Sequence, residues 1–173
     1  WDPHLCEALS DRDIRSILDP GSSVVALPVA EDANAVADAD DGWARGILQR
    51  CDGQVVYHSG WIARDTASQE FQRRVWAAQV QVIFPLIEQV RRQAIERYGS
   101  RFRLPVLVGD GVYVDDPDEL EIAMVRRIVS RLDGVPRAVL RRLDQAWEFR
   151  NALAHIEPLT GQQLQEFEPS LDG

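Results

Sequence analysis

Three side chains near the end of the chain have the residue types of a phosphate chemistry. They are Arg150, Asn151 and His155, within the run Trp147-Glu-Phe-Arg-Asn-Ala-Leu-Ala-His-Ile-Glu-Pro158. Histidine titrates near neutral pH and can take or give a proton in a transition state. A neighbouring arginine can stabilise charge developing on a phosphate, and a side-chain amide can orient the imidazole or hold a phosphate oxygen. Together the three suit metal-independent attack of an RNA 2′-hydroxyl on its own phosphate. Proton shuttling is easier with two histidines, and the other two in the chain, His4 and His58, are far from the run in sequence. A symmetric dimer that places two His155 side chains in one cleft would supply the second. The spacing fits an arginine–histidine surface pair at a helix end equally well, so the residues alone leave the catalytic and structural readings open.

The run needs a helix to hold it. Pro136 opens one, with Val139, Leu140, Leu143, Ala146, Trp147 and Leu153 as its apolar set. Pro158 disfavours helical geometry at Glu157, which ends the helix near His155 or Ile156. At about 100° per residue, Asn151 and His155 share a face and Arg150 sits on the neighbouring edge. Arg150 also follows the stripe of Leu143 and Trp147. A guanidinium at the margin of a packed face needs an acceptor, and Glu148 and Glu157 are the near candidates.

Upstream, Asp116-Pro117-Asp118-Glu119 reads as a capped helix start. Ile122, Val125, Ile128, Val129 and Leu132 form that helix's buried side, and Asp133-Gly134 ends it. Before it, Leu104 to Val114 reads as a hairpin around Gly109-Asp110-Gly111, a structural excursion between helices. Phe71, Val75, Ala78, Val82, Leu86, Val90 and Ile95 mark one long helix, with Thr66 as N-cap and Tyr98-Gly99 as its end. Pro85 predicts a kink or break near Val82–Phe84. Thr160-Gly-Gln-Gln163 is a capping-box pattern for a last short helix through Phe167.

Residues 1–62 read as a small mixed α/β extension of unknown role, and residues 63–173 as the helical part. In the extension, Ser10 caps a short helix, Val24–Val29 is an edge strand, and Trp43–Arg50 is a helix ending at the turn pair Asp52-Gly53. Val55-Val56-Tyr57 is a strand candidate, and His58 beside Ser59-Gly60 reads as a polar loop residue. Cys6 and Cys51 read as idle thiols rather than a disulfide. A zinc site from His4, Cys6, Cys51 and His58 is the alternative, though the four lack the clustered spacing of structural sites.

With 173 residues, 45% hydrophobic and 27% charged, the chain has material for one cored domain, or one with an extension. No apolar run approaches the roughly 20 residues of a membrane span, and no signal peptide is visible, so the expectation is a cytoplasmic protein without membrane contact. Because it starts at Trp1, the sequence reads as a piece of something longer. The net charge of −9 argues against general adhesion to nucleic acid. Every basic residue is arginine, and the charge is uneven. Asp110 to Glu121 holds six acids and no base, whereas Arg126 to Arg150 holds seven arginines against Asp133, Asp144 and Glu148. An acidic average can therefore conceal a basic local surface.

The run Arg150-Asn151-Ala-Leu-Ala-His155 resembles the signature of the higher eukaryotes and prokaryotes nucleotide-binding (HEPN) superfamily, an arginine followed after four to six residues by histidine. In its active members a polar residue, here Asn151, directly follows the arginine. The resemblance covers roughly residues 65–170 and implies a mainly α, up-and-down helical bundle. It further implies a homodimeric endoribonuclease whose two motifs face one another, which takes RNA as substrate and needs no metal or other cofactor. Its products often end in 2′,3′-cyclic phosphate. Arg150, Asn151 and His155 carry over as the catalytic positions. Many relatives are toxins or antiphage effectors, partnered by an antitoxin or by sensor domains that would lie outside this chain. Others have lost activity and serve as binding or dimerisation modules, which is the alternative for this chain.

Overall fold

The computed structural model describes residues 13, 42–43, 47–51, 53–62, 69–109, 111–167 and 169–171. The chain is mainly helical, with two small antiparallel hairpins. It divides into two compact units, Trp1–Val75 and Trp76–Gly173. The Ser10 helix cap, the Val24–Val29 strand and the Thr66 cap lie outside the described residues. Among the described residues, no helix is long and apolar enough to cross a membrane.

In the first unit, β1 (Leu48–Cys51) pairs with β2 (Gln54–Tyr57), with Leu48 opposite Tyr57. This corrects the helix expected over Trp43–Arg50. A turn at Gly53, φ +79°, folds Leu48–Cys51 back onto the β-branched pair Val55-Val56, and ladder bonds override the weak helical pattern. Backbone hydrogen bonds from Ile47 to Gly42 and from His58 to Ile47 brace the hairpin's open end. A short helix α1 (Ser59–Ile62) follows. Ile62 and Phe71 then bury together against Trp61 and Val75.

Helix α2 (Gln69–Tyr98) runs unbroken through Pro85. Proline inside a helix costs about 3 kcal/mol. Ile83, Ile87 and Val90 flank it and are at most 4% exposed. Each contributes about 1.5–3 kcal/mol by burial, which outweighs the lost donor. Pro85 itself faces solvent. Phe71 and Val90 of the expected stripe are buried, but the rest of the buried row is Gln79, Ile83, Ile87, Ala94 and Tyr98, and Ala78 is exposed.

Beyond a 3-10 turn at Gly99–Arg101, β3 (Val106–Gly109) and β4 (Val112–Val114) form the hairpin read from the sequence, with a bulge between Leu107 and Gly109. The helix expected from Pro117 is interrupted. Asp116 caps only a 3-10 turn, Pro117–Glu119, by accepting from the Asp118 amide at 2.9 Å. Leu120 is extended and buried, and α3 (Ile122–Val129) starts after Glu121. Arg91 explains the break. Its Nη1 donates to the carbonyls of Asp118 and Leu120, both at 2.9 Å, and so provides acceptors with partners outside a helix.

Helix α3 packs on α4 (Arg137–Ala154), which buries Val139, Leu143, Ala146, Phe149 and Leu153. Phe149 meets Phe167 with ring centroids 5.1 Å apart. Arg126 pairs with Asp144 and lies over the Trp147 ring at 4.4 Å, so Trp147 is only half-buried. The last helix, α5 (Gly161–Glu166), starts at the full Thr160/Gln163 capping box.

Candidate functional site

The three motif residues fall on the last turn of α4 and its C-cap. Arg150 and Asn151 are helical and half-buried; His155 is the C-cap residue and is exposed. The helix closes with both bonds of a Schellman motif. The Ile156 amide donates to Leu153 at 3.3 Å and the Glu157 amide donates to Ala152 at 2.9 Å. The residue between them must turn left-handed, and it is Ile156, at φ +62° and 60% exposed. A β-branched residue there is strained by roughly 1–2 kcal/mol. The strain sits directly after His155.

Two side chains from α2 hold this turn in place. Trp76 Nε1 donates to the Leu153 carbonyl at 2.6 Å. Gln79, fully buried, grips Leu159 with both ends of its amide. Its Nε2 donates to the Leu159 carbonyl at 2.9 Å, and its Oε1 accepts from the Leu159 amide at 2.7 Å. The backbone on both sides of His155 is therefore tethered while its imidazole faces solvent. Sequence reasoning missed both tethers. The signal for Gln79 is a polar residue inside the i, i+4 row Val75, Ile83, Ile87.

Arg150 turns toward a cleft of about 520 Å³ lined by Pro85, Ile87, Arg91, Leu120, Glu121 and other residues of the same segments. Its partner is Glu121, at 3.6 Å, and neither Glu148 nor Glu157. The Glu121 side chain is 71% exposed and that of Arg150 39%. Such a long, wet pair contributes about 0–1 kcal/mol, so a phosphate oxygen can displace the carboxylate. Arg91 fixes the segment carrying Glu121. It is mostly buried, and it also pairs with Glu88 at 2.6 Å. That hydrogen bond, with a second guanidinium from Arg92, holds the Glu88 carboxyl below its ordinary range. The same pair raises Arg91.

Among the described residues, no side-chain hydrogen bond joins Arg150, Asn151 and His155 to one another. Helical geometry puts Arg150 and His155 about 140° apart around the axis, and Asn151 within about 40° of His155. One copy thus presents Asn151 and His155 together and Arg150 to the side. His4 and Cys6, half of the zinc alternative, lie outside the described residues. Among the described residues, no group of three His, Cys, Asp or Glu side chains could hold a metal ion.

No family model matches the chain, and no curated protein or solved structure matches it.

Proposed function

We propose that this chain is a metal-independent endoribonuclease of the HEPN type, built as an up-and-down bundle and acting as a homodimer. His155 takes the proton of an RNA 2′-hydroxyl, and that oxygen attacks the adjacent phosphorus. Arg150, released from Glu121, neutralises the charge gathering on the phosphate oxygens. Asn151, on the same face as His155, orients the imidazole. The His155 of the second copy protonates the departing 5′-oxygen, leaving a 2′,3′-cyclic phosphate and a 5′-hydroxyl. A role as a toxin or antiphage effector, held in check by an antitoxin or sensor domain, fits such an activity.

The observation that carries the reading is the tethered turn at the end of α4. It leaves His155 exposed on a backbone held by Trp76 and Gln79, with Arg150 half-buried on a weak counter-ion. The test is incubation with RNA of the wild type and of folded His155→Ala and Arg150→Ala variants. Cleavage by the wild type that is lost in both variants supports the reading; equal cleavage by all three contradicts it.

The Glu121–Arg150 pair also favours a second reading, a helical binding or dimerisation module in which Arg150 serves structure alone. In that case Arg150→Ala lowers stability and the wild type cleaves nothing.

A further inference from the structure

A second cleft lies at the opposite end of α3 from Glu121. Its volume is about 620 Å³, and Arg101, Arg103 and Arg131 line it with Val106, Ile128 and Asp133 among the rest. Three guanidiniums against the single carboxylate of Asp133 leave an excess of positive charge, in a chain whose net charge is −9.

The three arginines are not equivalent. Arg101 donates through Nη2 to the Asp133 carbonyl at 2.7 Å, which fixes it at the rim. Arg103 and Arg131 are exposed and make no ion pair or side-chain hydrogen bond among the described residues. Several guanidiniums elsewhere are neutralised, although Arg127, Arg137 and Arg141 also make no ion pair among the described residues. Arg91, Arg92, Arg126 and Arg150 each face a carboxylate. The bland role for arginines at a helix C-terminus is to satisfy its last carbonyls. Arg101 plays a similar part for the turn beyond α3, at the Asp133 carbonyl; Arg103 and Arg131 do not, among the described residues. The negative helix end and Asp133 both oppose an anion. A lone carboxylate ligand would gain little against them, whereas a phosphate offers more charge and several acceptor oxygens to a pair of guanidinium forks. The size of the cleft suits a nucleotide.

We propose that this cleft is a second phosphate-binding subsite, which holds a backbone phosphate of the RNA strand on Arg103 and Arg131. The choice of RNA as ligand rests on the ribonuclease reading above. Helix α3 has 8 residues, so it separates the subsite from the Arg150 cleft by about 12 Å at 1.5 Å per residue. A single strand bound at both points keeps the scissile linkage in register, and binding is confined to a local basic surface that the acidic average does not cancel.

Binding of a short labelled single-stranded RNA, followed by anisotropy across a chloride titration, tests the proposal. The His155→Ala background keeps the strand intact. Arg103→Gln/Arg131→Gln is compared with Arg73→Gln/Arg92→Gln, an equal charge change at exposed sites on α2. The expected result is a roughly tenfold or greater loss of affinity at low salt for the first pair only. Its log–log salt slope should flatten by about 0.7, the contribution of one neutralised phosphate on a single strand. Equal loss in both pairs, or in neither, overturns the proposal. So does competition by ATP at the cleft with RNA binding indifferent to the first pair, which assigns the cleft to a free nucleotide. A wild type that binds RNA through Arg103 and Arg131 yet never cleaves it refutes the ribonuclease reading and leaves the subsite standing. Cleavage with binding indifferent to those arginines does the reverse.

Discussion

Ile156 occupies a position that glycine would fill at no steric cost, immediately after the histidine on which the proposed chemistry depends. Its side chain is 60% exposed and gives up little apolar burial if removed. Ile156→Gly should therefore stabilise the protein by about 1 kcal/mol in urea unfolding, because the left-handed strain outweighs the added freedom of the unfolded chain. A loss of stability would mean that the side chain is covered in solution, as it would be at an interface between copies. The positions of Arg150, Asn151 and His155 were legible from Pro158, which ends the helix where the spacing requires. Glu121 was not. It is distant in sequence, and only the docking of the 118–121 segment under Arg91 brings it to Arg150.

Elements decide how firmly the motif is held. Gln79→Leu removes a two-way grip on Leu159 and leaves a buried N–H and C=O without partners. It should cost about 2–4 kcal/mol, read from the shift in denaturant midpoint. In protein that remains folded it should also lower the turnover number more than it changes KM, because the turn after His155 loosens. Unchanged stability would contradict the account of the tether. Below α3, the Glu88–Arg91 pair gives a pH signature. Glu88 is held below its ordinary value, so the pair stabilises the fold above about pH 4.5 and is lost as pH falls through the lower folded value. Glu88→Gln should therefore destabilise at pH 7 by about 1 kcal/mol or less, since the carboxylate is half-exposed and screened. That difference should vanish in acid. A difference that persists in acid once the carboxylate is protonated in the folded protein would point to packing instead of charge.

The same scale explains what the sequence did not disclose. The β3–β4 hairpin, the Pro136 start and the Thr160 capping box are local chemistry, and each is where its residues put it. Leu48–Arg50 became strand because Val55–Tyr57, across the turn, offered a ladder, which propensity within the segment does not register. The break at Leu120 is a tertiary event, set by two hydrogen bonds from another helix. Pro85 marks the reverse case. A strong local signal for a break is overridden by burial on either side.

At the scale of the whole molecule, one copy offers one exposed histidine beside Asn151, with its arginine turned aside. If two copies complete the site, specific activity should fall on dilution through the dimer dissociation range, and sedimentation should show the same midpoint. Activity independent of concentration down to demonstrably monomeric protein would contradict the paired site. The most direct measurement of the central claim uses a DNA oligonucleotide containing a single ribonucleotide, incubated with wild type and His155→Ala in the presence of EDTA. The expected result is one cut by the wild type, directly 3′ of that ribose, leaving a 2′,3′-cyclic phosphate, and no cut by the variant. Cleavage of the all-DNA strand, or an equal cut by the variant, would contradict the assignment of His155.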